Sequence, residues 1–113
     1  MPNNQVVSLN YANVLLSANQ LEESEQVLQD FLLASPANYI AYELLTAVYK
    51  KQDNKAMMHA TRAEVFALLG SYPNAVDELQ TAYGYVGDTP LTKKRFRARI
   101  LQFQDQQDRL KRL

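Results

Sequence analysis

The stretch Ala63–Ala82, AEVFALLGSYPNAVDELQTA, reads as two helices pinched together at Gly70, and it limits the chain more than any other feature. Ala63 and Phe66 lie at helical spacing before the glycine, and Ala75, Leu79 and Ala82 lie at helical spacing after it. Gly70 is suited to the left-handed residue that stops a helix, and Ser71 with Pro73 to the start of the next. A helix pair this short cannot bury its apolar faces alone. It has to stack on further copies, so the remaining residues must supply them.

They do. Asn3 or Asn4 is placed to cap a first helix with Val7, Tyr11, Val14, Leu15 and Ala18 as its apolar stripe, ending near Asn19. Glu22 and Glu23 open a second helix, with Val27, Leu28, Phe31 and Leu32 facing inward, and Pro36 closes it. Asn38 caps a third, carrying Tyr39, Tyr42, Leu45, Val48 and Tyr49 and ending on Lys50 and Lys51. Asp53 or Asn54 starts a fourth that runs to Leu69. The fifth is expected to end at Gly84 and Gly87. Thr89 before Pro90 begins a sixth, long and polar, with Phe96, Ile100, Phe103, Gln107 and Leu110 as one narrow stripe. The predicted helices cover about 5–18, 21–34, 38–51, 54–69, 72–86 and 90–111 of a single domain, 1–113, that is expected to be a piece of a longer protein.

Composition removes several classes of function. With no cysteine there is no thiolate nucleophile and no Cys-based metal site. His59 is the only histidine, and a zinc-protease helix would need Glu at 60 and His at 63, where both residues are Ala. The acid pairs Glu22/Glu23 and Asp77/Glu78 fall where helices begin, so the helix dipole accounts for them without acid–base chemistry. The three glycines are dispersed and form no phosphate loop. The chain therefore reads as a non-enzyme with no cofactor and no metal. No apolar run is long enough to span a membrane, and the polar start Met1-Pro2-Asn3-Asn4 lacks the regions of a signal peptide.

The repeat has a recognisable form. Tyr11, Ala12, Leu15, Asn19, Leu21, Ser24, Leu28, Phe31 and Pro36, then Tyr42, Leu45 and Tyr49, then Ala63, Phe66, Gly70, Tyr72, Ala75, Leu79 and Ala82 resemble the tetratricopeptide (TPR) pattern. The resemblance implies an all-α fold: six antiparallel helices stacked as a TPR-like right-handed solenoid with a long polar C-terminal capping helix. Ser8 stands where the first aromatic residue is wanted. The third unit also begins about 17 residues after the second rather than about 34, a slip of one helix. Tyr11, Tyr42, Tyr49 and Tyr72 are expected in the core, whereas Tyr39, Tyr83 and Tyr85 are freer to meet a partner.

TPR domains often bind peptides across a concave wall. Positions that grip a C-terminal carboxylate in one class of the family hold Leu9, Asn13, Leu44, Met57 and Thr61 here, and only Asn13 matches, so that clamp is not expected. The wall instead offers Leu9, Asn13, Leu16, Ser17, Ile40, Glu43, Ala47 and Lys50, of which Leu9, Asn13, Ser17, Ile40, Glu43 and Lys50 are the candidate partner contacts. Net charge is zero but unevenly spread: residues 1–87 hold 4 Lys/Arg against 9 Asp/Glu, and residues 88–113 hold 8 against 3. The basic tail makes Lys93, Lys94, Arg97 and Arg99 a second candidate docking face, although a polar capping helix explains the same residues.

The run from His59 to Tyr72, followed by the slip and the basic Arg97-Ala-Arg-Ile100 helix, resembles the C-terminal tail of Gram-negative periplasmic zinc metalloproteases of the β-barrel assembly-enhancing type. That resemblance implies a non-catalytic periplasmic module whose partners are proteins or peptides, among them the outer-membrane assembly machinery or unfolded barrel clients, with no nucleic acid and no direct membrane span. The rival reading is a stand-alone cytoplasmic TPR adaptor, such as a secretion or pilus chaperone.

Overall fold

The computed structural model describes residues 5–113. It is all-helical, with α1 at Gln5–Ser17, α2 at Leu21–Ala34, α3 at Tyr39–Lys51, α4 at Lys55–Leu68, α5 at Tyr72–Tyr85 and α6 at Pro90–Lys111. Consecutive helices pack on one another as a TPR-like antiparallel stack, with α4 and α5 in the most extensive contact and α1 also touching α3. The expected caps of the first helix, Asn3 and Asn4, lie outside the described residues.

Local chemistry sets the helix ends. Asn38 Oδ1 accepts from Ala41 N at 2.9 Å, and Asn54 Oδ1 accepts from Met57 N at 3.2 Å, so each satisfies a backbone donor that the first helical turn leaves open. Ser71 and Thr89 precede α5 and α6 but make no side-chain cap. In those helices a proline in the first turn supplies the bias toward helical φ instead.

The slip is visible in the turns. Among the described residues, Asn19, Asp53 and Gly70 are those with left-handed backbone, at φ 62°, 56° and 77°. Each closes the same doubly bonded turn. Asn19 N donates to Leu16 O and Gln20 N to Leu15 O; Asp53 N donates to Lys50 O and Asn54 N to Tyr49 O; Gly70 N donates to Ala67 O and Ser71 N to Phe66 O. The α1–α2, α3–α4 and α4–α5 connections are therefore one device used three times. The helix α4 is both the second member of one hairpin and the first member of the next. The α2–α3 connection instead contains Pro36, and the α5–α6 connection leads into Pro90, the first residue of α6.

Small residues let the paired helices approach closely. Ala12 and Ser24 are fully buried, and Ser24 Oγ donates to Ala12 O at 2.9 Å, which replaces a contact with water by a cross-helix bond. Ala63 and Ala75 hold the equivalent places between α4 and α5. The core has two parts. Ala12, Leu16, Leu28, Ala41, Leu45, Val48 and Tyr49 form the first, and Ala63, Ala75, Val76, Leu79, Ala82, Phe96 and Phe103 the second. Met57 packs against both and joins them through α4. The capping helix inserts Phe96 and Phe103 into the second part while its other side stays polar.

Several expectations are corrected. The α1 stripe faces outward at Val7, Tyr11 and Val14, and Tyr11 is 52% exposed rather than core. Two apolar stripes of helical period overlap on α1, and the one containing Ala12 is buried because only a small side chain permits the approach to Ser24. Leu110 is exposed because α6 runs 22 residues beside the 14 of α5 and its last turns lie beyond that partner. The helix α5 ends at Tyr85, with Gly84 in its last turn and Gly87 just past its C-cap Val86, as expected. Asp77 and Glu78 sit past the first turn of α5, so the helix dipole is not what places them.

Candidate interaction surfaces

Five of the six wall residues are open. On α1, Asn13 and Ser17 are exposed and Leu9 is half-buried against the first core; on α3, Ile40, Glu43 and Lys50 are exposed. Leu16 is a correction, because it is buried in the core and offers nothing to a partner. Beside Ile40, the Tyr39 phenol is raised above its ordinary value by a hydrogen bond to Glu43 and by that carboxylate's charge. The clamp positions do not converge as a polar set. Thr61 is buried with Oγ1 donating to Met57 O at 2.7 Å, and Leu44 and Met57 are packed against the core.

The basic residues of α6 divide between two sides of the helix. Lys93 Nζ lies 5.6 Å from the centre of the Tyr83 ring and Arg97 Cζ 5.7 Å from it, with Arg97 Nη2 donating to Tyr83 Oη at 2.9 Å. Lys94 is exposed. Arg99 lies on the other side and is engaged within the fold, with part of its side chain still in solvent. Its Nε donates to Glu64 Oε1 at 2.8 Å, its Nη2 to Glu64 Oε2 at 2.9 Å and its Nη1 to Gln102 Oε1 at 2.7 Å. The guanidinium also lies 4.4 Å from the centre of the Phe103 ring. A planar fork spent on one carboxylate, one amide and one ring ties α6 to α4 and leaves little for a partner. Lys93, Lys94 and Arg97 are what remains of the predicted docking face.

The single histidine has a structural setting. His59 Nδ1 lies 2.7 Å from Glu78 Oε2, Arg62 Nη2 lies 3.4 Å from Glu78 Oε1, and the His59 ring stacks on Tyr85 at 5.6 Å with 3° between planes. Glu78 thus joins α5 to α4, which is the physical reason for an acid at that position. Among the described residues no group of three or more His, Cys, Asp or Glu could hold a metal ion. Tyr49 is 2% exposed, donates to Glu25 Oε2 at 3.1 Å and accepts from Gln29 Nε2 at 3.1 Å. Burial pushes its phenol up to about 12, with Gln29 opposing and Glu25 adding to the rise. The motif pattern located Tyr49 but carried no signal for the Arg99–Glu64 contact, whose partners are 35 residues apart.

No helix among the described residues is long and apolar enough to cross a membrane. No protein-family model matches the chain. Beta-barrel assembly-enhancing proteases of Escherichia coli K12 and Shigella flexneri are each 31% identical to it over 108 residues, 96% of this chain and 22% of theirs. A counterpart in Vibrio cholerae is 31% identical over 104 residues. The chain spans 22% of the length of these curated relatives. Over nearly its whole length, then, this helical stack is a relative of one segment of the beta-barrel assembly-enhancing proteases.

Proposed function

We propose that this chain is a non-catalytic protein-interaction module of a longer periplasmic zinc metalloprotease, and that it docks the protease onto outer-membrane proteins or the machinery that assembles them. The observation that carries this reading is the pairing of 31% identity over 96% of the chain with a six-helix stack, in relatives whose names join a protease to barrel assembly. Stacked helix pairs present long surfaces without needing a reactive centre, which suits a recognition role. Partners are proteins or peptides; nucleic acid, cofactor and metal have no part in it. The exposed wall on α1 and α3 and the cations Lys93, Lys94 and Arg97 are available surfaces.

The purified chain is predicted to retain a urea-unfolded outer-membrane barrel as the urea is diluted, and to ignore a folded cytoplasmic protein of similar size. Equal retention of both, or of neither, contradicts the reading.

A further inference from the structure

The slip that makes α4 serve two hairpins also shapes the surface. The helix α4 packs on α3 and is reached by α6 through the Arg99–Glu64 contact, while among the described residues α3 and α6 share no extensive interface. Between them runs an open groove of about 490 Å³. It is lined by Glu64, Ala67 and Leu68 of α4, Tyr42 of α3, Tyr72 at the start of α5, and Gln102 and Gln106 of α6, with the Tyr72 ring tilted against the buried Phe103 ring at 6.1 Å. That volume lies within the range of sites that hold small ligands or a few residues of peptide.

The chemistry of the lining is specific. The charged groups of the lining have partners within the fold: Glu64 is held bidentately by Arg99, and Asp105 at the exposed rim pairs with Arg109 at 3.1 Å. Neutral polar groups remain. The Tyr42 and Tyr72 hydroxyls form no hydrogen bond among the described residues, nor does the Gln106 amide, and Gln102 uses only its Oε1, on Arg99. Burial and the Glu64 charge raise the Tyr42 phenol, so it remains a neutral donor through the physiological range. Gln102 and Gln106 are one helical turn apart on one face of α6, a spacing that presents two amides in a row. Amides in a row match the alternating N–H and C=O of an extended backbone, and the half-buried rings of Tyr42 and Tyr72 give an aromatic or long apolar side chain something to lie against.

We infer that this groove binds an extended, uncharged polypeptide segment, with Gln102 and Gln106 holding its backbone and an aromatic or long apolar side chain seated between Tyr42, Tyr72 and Leu68. The inference rests on the docking reading above and gives it a site that the α1/α3 wall does not include. A charged side chain in the segment would leave water without an opposite charge to meet, since Glu64 and Arg99 already satisfy each other.

The test uses the 113-residue chain, a Gln102→Ala/Gln106→Ala variant, and three blocked hexapeptides with Phe, Asp or Lys at the central position. Both glutamines are exposed, and the variant loses only the Gln102 acceptor of Arg99 while Glu64 still holds that guanidinium, so it is expected to stay folded with a slightly lower thermal midpoint. By NMR titration the Phe peptide should move the amides of Leu68, Gln102 and Gln106, bind at least tenfold more tightly than the Asp and Lys peptides, and lose at least tenfold affinity in the variant. The inference is overturned by preference for either charged peptide, by shifts confined to α1 and α3, by equal binding to the variant, or by no binding at all. Retention of the unfolded barrel separates the two ideas. If the wild type and the variant retain it equally, docking stands and the groove falls; if the wild type fails to retain it, docking falls as well.

Discussion

At the scale of single residues, side chains that look alike in the sequence do different work. Arg97 and Arg99 are two positions apart on one basic helix, yet one lies against Tyr83 at the surface and the other closes α6 onto α4. Arg99→Ala is predicted to cost about 1–2 kcal/mol, because it removes charge-assisted bonds and exposes Glu64 without its partner. Lys94→Ala, with no partner to lose, is predicted to stay within about 0.5 kcal/mol in the same urea titration. Tyr49 gives a pH test. An acid whose folded value is raised binds its proton more tightly in the folded chain, so its contribution is complete below about 10, the ordinary tyrosine value, and is lost as pH rises toward about 12. Unfolding free energy should fall across that window, and Tyr49→Phe should make the fall shallower. An unchanged slope in the variant would assign the alkaline loss to other groups, among them Tyr42, which is raised in the same direction. None of this was legible in the sequence beyond the likelihood of burial. The bond from Tyr49 to Glu25 and that from Arg99 to Glu64 depend on how helices far apart in the chain are aligned.

At the scale of elements the sequence was more informative, because helix ends are written in local residue types. Asn38, Asn54 and Gly70 mark boundaries through their own backbone chemistry, and the structure places all three in the expected roles. The inward face of α1 was not legible, since periodicity accepts either of two overlapping stripes and only the meeting of Ala12 with Ser24 selects one. Glycines near helix ends act differently: Gly87 follows the C-cap Val86 of α5 without a left-handed backbone, whereas a glycine stops a helix by its own conformation only where the backbone turns left-handed. Gly70 does so and Gly84 does not. A Cβ at either position meets nothing within 4 Å, so backbone conformation alone sets the sign. Gly70→Ala is predicted to destabilise by about 1 kcal/mol and Gly84→Ala to stabilise by about 0.5–1 kcal/mol. Thermal midpoints that move in the same direction for both would contradict that assignment.

At the scale of the whole molecule, the displacement of the repeat by one helix connects sequence, fold and surface. The spacing of the repeat residues indicated it, and the three identical turns at Asn19, Asp53 and Gly70 display it, 34 and then 17 residues apart. The consequence for the surface was not legible, because a groove across α4 depends on where α6 lies, and α6 is placed by Phe96, Phe103 and Arg99 together. The candidate wall on α1 and α3 belongs to the regular part of the repeat, while the groove belongs to the irregular part. The most direct measurement is site-specific photo-crosslinking to an unfolded outer-membrane barrel, with the photoreactive residue placed either at Gln106 in the groove or at Asn13 on the wall. The account predicts adducts from position 106 that the uncharged Phe peptide suppresses. Adducts from position 13 alone, or adducts from 106 that the peptide leaves unchanged, would contradict it.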